Sequence, residues 1–174
     1  MLLSLLLAAD APVKTAVPIP SSPELGKAEG KCRPNEAGPS FLVSVNGLKD
    51  RKGHIKVEVY PATDADFLQD DNILVYQGKT FRRVEEEVPQ TGPVQVCIRV
   101  PAAGAYGLTV LHDRDNNRKI SLSQDGFGVA NAQHFRWSMP KLPAARVVAG
   151  AGPTRINITL AYRSSLISFD PIKP

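Results

Sequence analysis

Val94-Gln95-Val96-Cys97-Ile98-Arg99-Val100 alternates strictly between apolar and polar side chains. The pattern has the two-residue period of a strand that buries one face. The same period recurs on either side. Phe41, Val43 and Val45 alternate with Leu42, Ser44 and Asn46; Ile55, Val57 and Val59 alternate with Lys56, Glu58 and Tyr60. Tyr106, Leu108 and Val110 follow a Pro-Ala-Ala-Gly turn, and Ile156, Ile158 and Leu160 close the series. Weaker strands are expected at Ile73–Tyr76, Thr80–Val88, Arg146–Ala149 and Leu166–Phe169, with a helical turn only at Asp64–Leu68. About seven short strands with glycine and proline turns predict an all-β fold, an antiparallel β-sandwich of transthyretin-like or immunoglobulin-like kind. Val57, Val96, Ile98, Leu108, Val110 and Ile158 are expected to point into its core.

The flanks differ in character. Leu2–Ala9 is a leucine-rich stretch broken by Asp10-Ala11-Pro12, with a length that suits the apolar core of a secretory signal. No basic residue precedes Leu2, and the alternative is an apolar helix packed on the domain. Residues 12–39 carry six of the 15 prolines. Proline removes backbone donors and extends its predecessor, so this segment reads as an extended linker, mobile up to Cys32. The expected organisation is a signal-like leader over 1–11, a proline-rich tail over 12–39, the sandwich over 40–165, and a C-terminal tail or edge strand over 166–174. The chain is then exported, to the periplasm or the outside of a bacterium.

Export gives the two cysteines a meaning. Cys97 lies in the polar phase of its strand, whereas a buried free thiol belongs in the apolar phase. Cys32 lies in the tail just before the first strand. In an oxidising compartment the pair can form a disulfide that straps the tail across the outside of the sheet; the alternative is two unrelated thiols. No Cys-x-x-Cys pair is present and no histidine lies near either cysteine, which argues against thiol catalysis.

The most chemical-looking stretch is His112-Asp113-Arg114-Asp115-Asn116-Asn117-Arg118-Lys119. Asp113, Asp115 and Asn117 fall at alternate positions, like the first half of an oxygen-ligand calcium loop, and Asp125 could join after a register change. The second half departs from that pattern: Arg118 stands where glycine is wanted and Gln124 where a bidentate glutamate should close the site. The preferred reading is a connector whose Asp and Asn side chains bond their own backbone. His112 continues the apolar phase of its strand and is expected to cap the core rather than ligate a metal. No Gly-x-Ser-x-Gly, His-Glu-x-x-His or glycine-rich phosphate loop occurs, so no catalytic residue is assigned and no enzyme is expected. Trp137, with His134, Phe135 and Arg136, forms an aromatic cluster that either stacks on a sugar or plugs the core.

Residues 41–162 resemble the exported bacterial family known as domain of unknown function 2141. The likeness rests on Asn46-Gly47-Leu48, Lys52-Gly53, Asp66-Phe67-Leu68, the Pro101–Tyr106 turn, His112-Asp113 with the Asp115–Lys119 loop, Gly126-Phe127-Gly128 and the Ile156–Tyr162 strand. The resemblance implies an export-associated β-sandwich, transthyretin-like or peptidase-regulatory-like, with no established activity. Glycine is common in the family at Arg118 and an acid at Ser121, and both departures weaken a calcium reading carried over from it.

With 21 Lys and Arg against 17 Asp and Glu, the net charge of +4 is too small to argue for nucleic acid. No apolar run approaches the roughly 18 residues of a membrane-spanning helix. The expected function is a non-catalytic binding or structural module without cofactor, a monomer meeting a cell-envelope protein or glycan. The alternative is a weak calcium- or carbohydrate-binding module using the Asp113–Asp125 loop.

Overall fold

Two sheets face each other across the valines and isoleucines that the two-residue period places inward. The structure, a computed structural model, describes residues 19–136 and 138–172. The leader and Trp137 lie outside the described residues. In chain order the elements are α1 (Lys27–Gly30), β1 (Ser40–Asn46), β2 (His54–Pro61), α2 (Asp71–Tyr76), β3 (Arg82–Glu87), β4 (Val94–Arg99) and β5 (Gly104–Asp113). β6 (Gly126–Val129), β7 (Phe135–Arg136), α3 (Leu142–Ala145), β8 (Arg146–Ala149), β9 (Pro153–Thr159), β10 (Ala161–Arg163) and β11 (Ser168–Pro171) follow. One sheet has the order β4-β1-β9; the other runs β3-β2-β5-β6-β10-β11-β7, with β8 also paired to β5. Pairing is antiparallel throughout except between β1 and β9. The protein is thus an all-β sandwich.

Phe41, Val43, Val45, Val96, Ile98 and Ile158 of the small sheet pack in one buried cluster with Ile55, Val57, Val59, Leu108 and Val110 of the large one. All six residues expected in the core are there, each at most 2 % exposed. β5 is buried on both faces from Tyr106 onward, which makes it the central strand of the large sheet.

The strands beyond the expected seven are short pieces without a readable period. The anticipated single strand Ile156–Tyr162 divides at Leu160, whose N–H donates to the Asn46 carbonyl at 2.9 Å. There the chain leaves the small sheet and enters the large one as β10.

Three local expectations are corrected. Ile73–Tyr76 is helical within α2, not a strand: Asp71 and Leu74, one turn apart, turn inward together. Leu74 joins Tyr60 and Phe81 in a second small core, while Asp71 pairs with Arg83 at 3.2 Å. Burial of that face overrides the strand propensity of the β-branched residues. Asp64–Leu68 is a set of turns, with the Asp66 and Phe67 N–H groups both donating to the Thr63 carbonyl, and Leu68 in the left-handed region (φ 64°) ends it.

The third correction is the tail, which over residues 19–39 is packed rather than free. It forms α1 and lies along β3, the Gly26 carbonyl accepting from the Arg83 N–H at 3.1 Å. The approach is close because two glycines allow it. A Cβ on Gly26 would fall 2.9 Å from the Phe81 carbonyl oxygen, and one on Gly30 2.8 Å from that of Arg83. Lys31 then bridges to Ile98 at the edge of β4. The chain is held there by a Cys32–Cys97 disulfide with Cα atoms 5.9 Å apart. Cys97 is half-buried on the outer face of its strand, as its phase requires.

Candidate functional site

The Asp113–Asp125 loop is a hairpin connection. β5 and β6 pair antiparallel with His112 opposite Gly126, so Asp113 and Asp125 stand side by side where the ladder ends and eleven residues loop out between them. Both carboxyls are buried, and Asp115 is exposed at the loop's mouth. One carboxylate oxygen from each of the three lies within 4.8 Å of the others. The loop brings together all four sequence candidates.

These side chains are engaged with the loop's own backbone. Asp113 accepts from the N–H groups of Asn117 (3.2 Å) and Arg118 (2.7 Å). Asp125 accepts from Arg114 N–H (2.9 Å) and Ser121 N–H (2.7 Å). Asp115 takes Asn117 N–H at 3.2 Å, with the Asn117 amide and Ser121 hydroxyl each at 2.9 Å. Asn117 Oδ1 accepts from Lys119 N–H at 2.7 Å. Asn116 and Arg118 adopt left-handed backbone (φ 56° and 64°), so Arg118 takes up the geometry that favours glycine. Asn116 Oδ1 meets His54 Nδ1 at 2.6 Å, and Lys56 donates to the Arg118 carbonyl at 3.3 Å.

Charge in the cluster is uneven. Burial, reinforced by Asp115 and the nearby Asp125 charge, pushes the Asp113 carboxyl up against the pull of its N–H donors. For Asp115 desolvation is the largest single effect, but the hydrogen bonds from the Ser121 hydroxyl, the Asn117 N–H and Asp113 together outweigh it, and its pKa falls. The arrangement can hold a hairpin turn rigid. It could also offer a cation the lone pairs that each carboxylate oxygen keeps beyond its N–H contact.

Below the loop runs a buried polar network of which only His112 was anticipated. The Arg114 guanidinium clasps Asp50 through Nε (3.1 Å) and Nη2 and donates through Nη1 to the Gln124 carbonyl at 2.8 Å. That clasp lowers the Asp50 carboxyl to about 2. His112, fully buried, meets the Lys52 carbonyl through Nε2 at 2.7 Å and the Tyr162 hydroxyl through Nδ1 at 2.6 Å. A carbonyl can only accept, so Nε2 carries the proton and Tyr162 donates to Nδ1. The Tyr162 oxygen in turn accepts from Lys49 N–H at 3.0 Å. Burial holds the imidazole below its ordinary value and pushes the Tyr162 phenol up to about 12. His112 thus caps the core and ties the 49–52 turn to β5 and β10. Asp50 and Arg114 are distant in sequence and Tyr162 lies in a short strand, so no local pattern announces the network.

Fold and loop together define a disulfide-strapped β-sandwich module with a wired β5–β6 hairpin. The chain belongs to the bacterial family described as an uncharacterized protein conserved in bacteria, domain of unknown function 2141, whose model matches residues 43–157. Cys97 and the entire loop lie inside that span, and Cys32 lies outside it. No curated protein and no solved structure matches the chain.

Proposed function

We propose that the protein is an exported, non-catalytic module of a bacterial cell envelope, periplasmic or at the cell surface, that works by binding or by structural contact. The observation that carries this reading is the use made of the Asp113–Asp125 loop. Its carboxylates are occupied in holding their own backbone, the work of a rigid display scaffold rather than of an acid–base pair. The Cys32–Cys97 disulfide supports an oxidising compartment outside the cytoplasm, and family membership supports a bacterial source. The module is a monomer without cofactor, and its partner is a cell-envelope protein or glycan. Fractionation of a bacterium carrying the gene tests the location: the chain belongs in the envelope with a Cys32–Cys97 cross-linked peptide. A cytoplasmic chain with two alkylatable thiols refutes it.

A second reading, weak calcium binding, is favoured by the three carboxylates that converge within 4.8 Å. With cationic Arg118 and Lys119 in the loop and no bidentate closing acid, its affinity would be on the order of 0.1–1 mM. At ten times that concentration, linkage would raise stability by about 1.4 kcal/mol, a melting shift of a few degrees. The expected result is no shift at several millimolar calcium. A shift that vanishes in Asp115→Ala establishes the calcium reading instead.

A further inference from the structure

Three of the chain's six phenylalanines stand around an open cleft instead of in either core. Phe127 of β6, Phe135 of β7 and Phe169 of β11 line it together with Ile120, Leu122 and Met139, and Phe127 meets Phe135 edge to face at 5.8 Å. Ile120, Leu122 and Met139 are 40 %, 37 % and 54 % exposed. The cleft holds about 230 Å³. Apolar side chains gathered round a concavity, with few polar groups among them, are the ordinary make-up of a small-ligand site.

The local alternation that builds the hairpin loop also builds this wall. Ser121 turns its hydroxyl to Asp115, while its neighbours Ile120 and Leu122 line the cleft. The loop's hydrogen bonds therefore hold two apolar side chains in place on its far side.

We propose that this cleft binds a single-chain anionic amphiphile, an acyl chain with a carboxylate head. Among the described residues its walls contribute only two polar side chains, Ser138 and Arg136, too few to orient a polar ring. No described residue pairs with the Arg136 guanidinium, and the exposed Lys141 directly follows the lining Pro140. Asp170, which follows the lining Phe169, is hydrogen-bonded by His134 at 2.8 Å and by the Ser164 hydroxyl. Arg136 and Lys141 against the single carboxylate of Asp170 leave the mouth net positive, which complements a carboxylate head. At about 30 Å³ per methylene, close to the volume of a water molecule, the cleft takes roughly seven or eight methylenes. That is a medium-length chain.

Calorimetric titration of the full chain with hexanoate, octanoate, decanoate and dodecanoate below their micelle concentrations tests this. Binding should be saturable at one site, tighten about fourfold per added methylene, and level off once the cleft is full near decanoate. Leu122→Ser and Met139→Ser, both at exposed positions, should each weaken decanoate severalfold while leaving the melting temperature unchanged. Arg136→Glu should lose decanoate at least about tenfold and gain decyltrimethylammonium instead. The proposal is overturned if no saturable binding occurs, if the unaltered chain takes both head groups equally, or if affinity keeps rising past dodecanoate as in partition. Concentration-dependent dimerisation that closes the cleft overturns it in favour of a second copy. Sedimentation with anionic phospholipid vesicles without any binding of monomeric fatty acid overturns it in favour of a membrane surface.

Discussion

Removing the strap by Cys32→Ala/Cys97→Ala should cost stability mainly through the unfolded chain. The disulfide closes a loop of 65 residues. Chain entropy for that length gives about 4 kcal/mol, an upper figure because any structure left in the unfolded tail reduces it. At roughly 2–4 °C per kcal/mol for a domain of this size, the melting temperature should fall by at most about 8–16 °C. The sheet itself should survive at 25 °C, because the tail keeps other anchors. Gly26 still accepts from Arg83, Asn72 still donates to the Ile19 carbonyl at 3.0 Å, and Lys27 still pairs with Glu85 at 3.3 Å. Circular dichroism melts of the oxidised and cysteine-free proteins read the loss. Hydrogen exchange should show faster exchange confined to the tail and to β4 around Ile98, where Lys31 makes its bridge. A melt within about 2 °C of the unaltered protein, or protection lost evenly across both sheets, would refute the assignment of Cys32–Cys97 as a local strap.

Three further outcomes are expected. Burial depresses the His112 imidazole from its ordinary 6.5, so the folded state binds fewer protons than the unfolded chain. Stability is then complete above pH 6.5 and falls as the pH drops below it, by up to about 1.4 kcal/mol per unit, and His112→Gln should flatten that slope in melts between pH 5 and 7. Ile98→Ala and Ile158→Ala, each at a fully buried core position, should lower urea-unfolding free energies by about 2–5 kcal/mol; a loss below 1 kcal/mol would contradict the packing. The Asp50 carboxyl should titrate by NMR at about 2, and Arg114→Gln should return it towards 3.8; an unchanged value would show that the guanidinium clasp is not what lowers it.

What the sequence made legible is what one face of a strand decides locally. Residues of β1, β2 and β4 alternate because their outer faces meet solvent or the tail, and that alternation located the core and set Cys97 outside it. The Asp and Asn spacing likewise exposed the hairpin loop, including the self-bonding of its carboxylates. What stayed hidden depends on contacts between distant segments. α2 is helical because Asp71 answers Arg83 and Leu74 answers Phe81. The tail is ordered because two glycines let it lie against β3, and glycine among prolines reads as linker. The change of sheet at Leu160 leaves no trace in a period of two, since both sides of the switch alternate alike. The cleft draws on Ile120, Leu122 and Phe127, on β7, on residues 138–140 and on Phe169, none of which forms a periodic run.

The strap also decides which side of the sandwich is left for a partner. β3 and β4 follow one another in the chain and each ends its sheet. Two adjacent bare edges would invite strand pairing with other molecules. The tail covers both, by the Gly26 carbonyl on Arg83 and the Lys31 bridge to Ile98, and the disulfide fastens the cover. At the opposite ends of the sheets the edges are poor templates for a different reason. β7 has only two residues, and β9 begins with Pro153, which lacks an N–H, and turns Arg155 to solvent. Strand addition is therefore discouraged on these four edges. What these edges leave accessible is side chain: the wired hairpin loop and the phenylalanine-lined cleft behind it, which share Ile120, Leu122 and Phe127 between the end of β5 and β6.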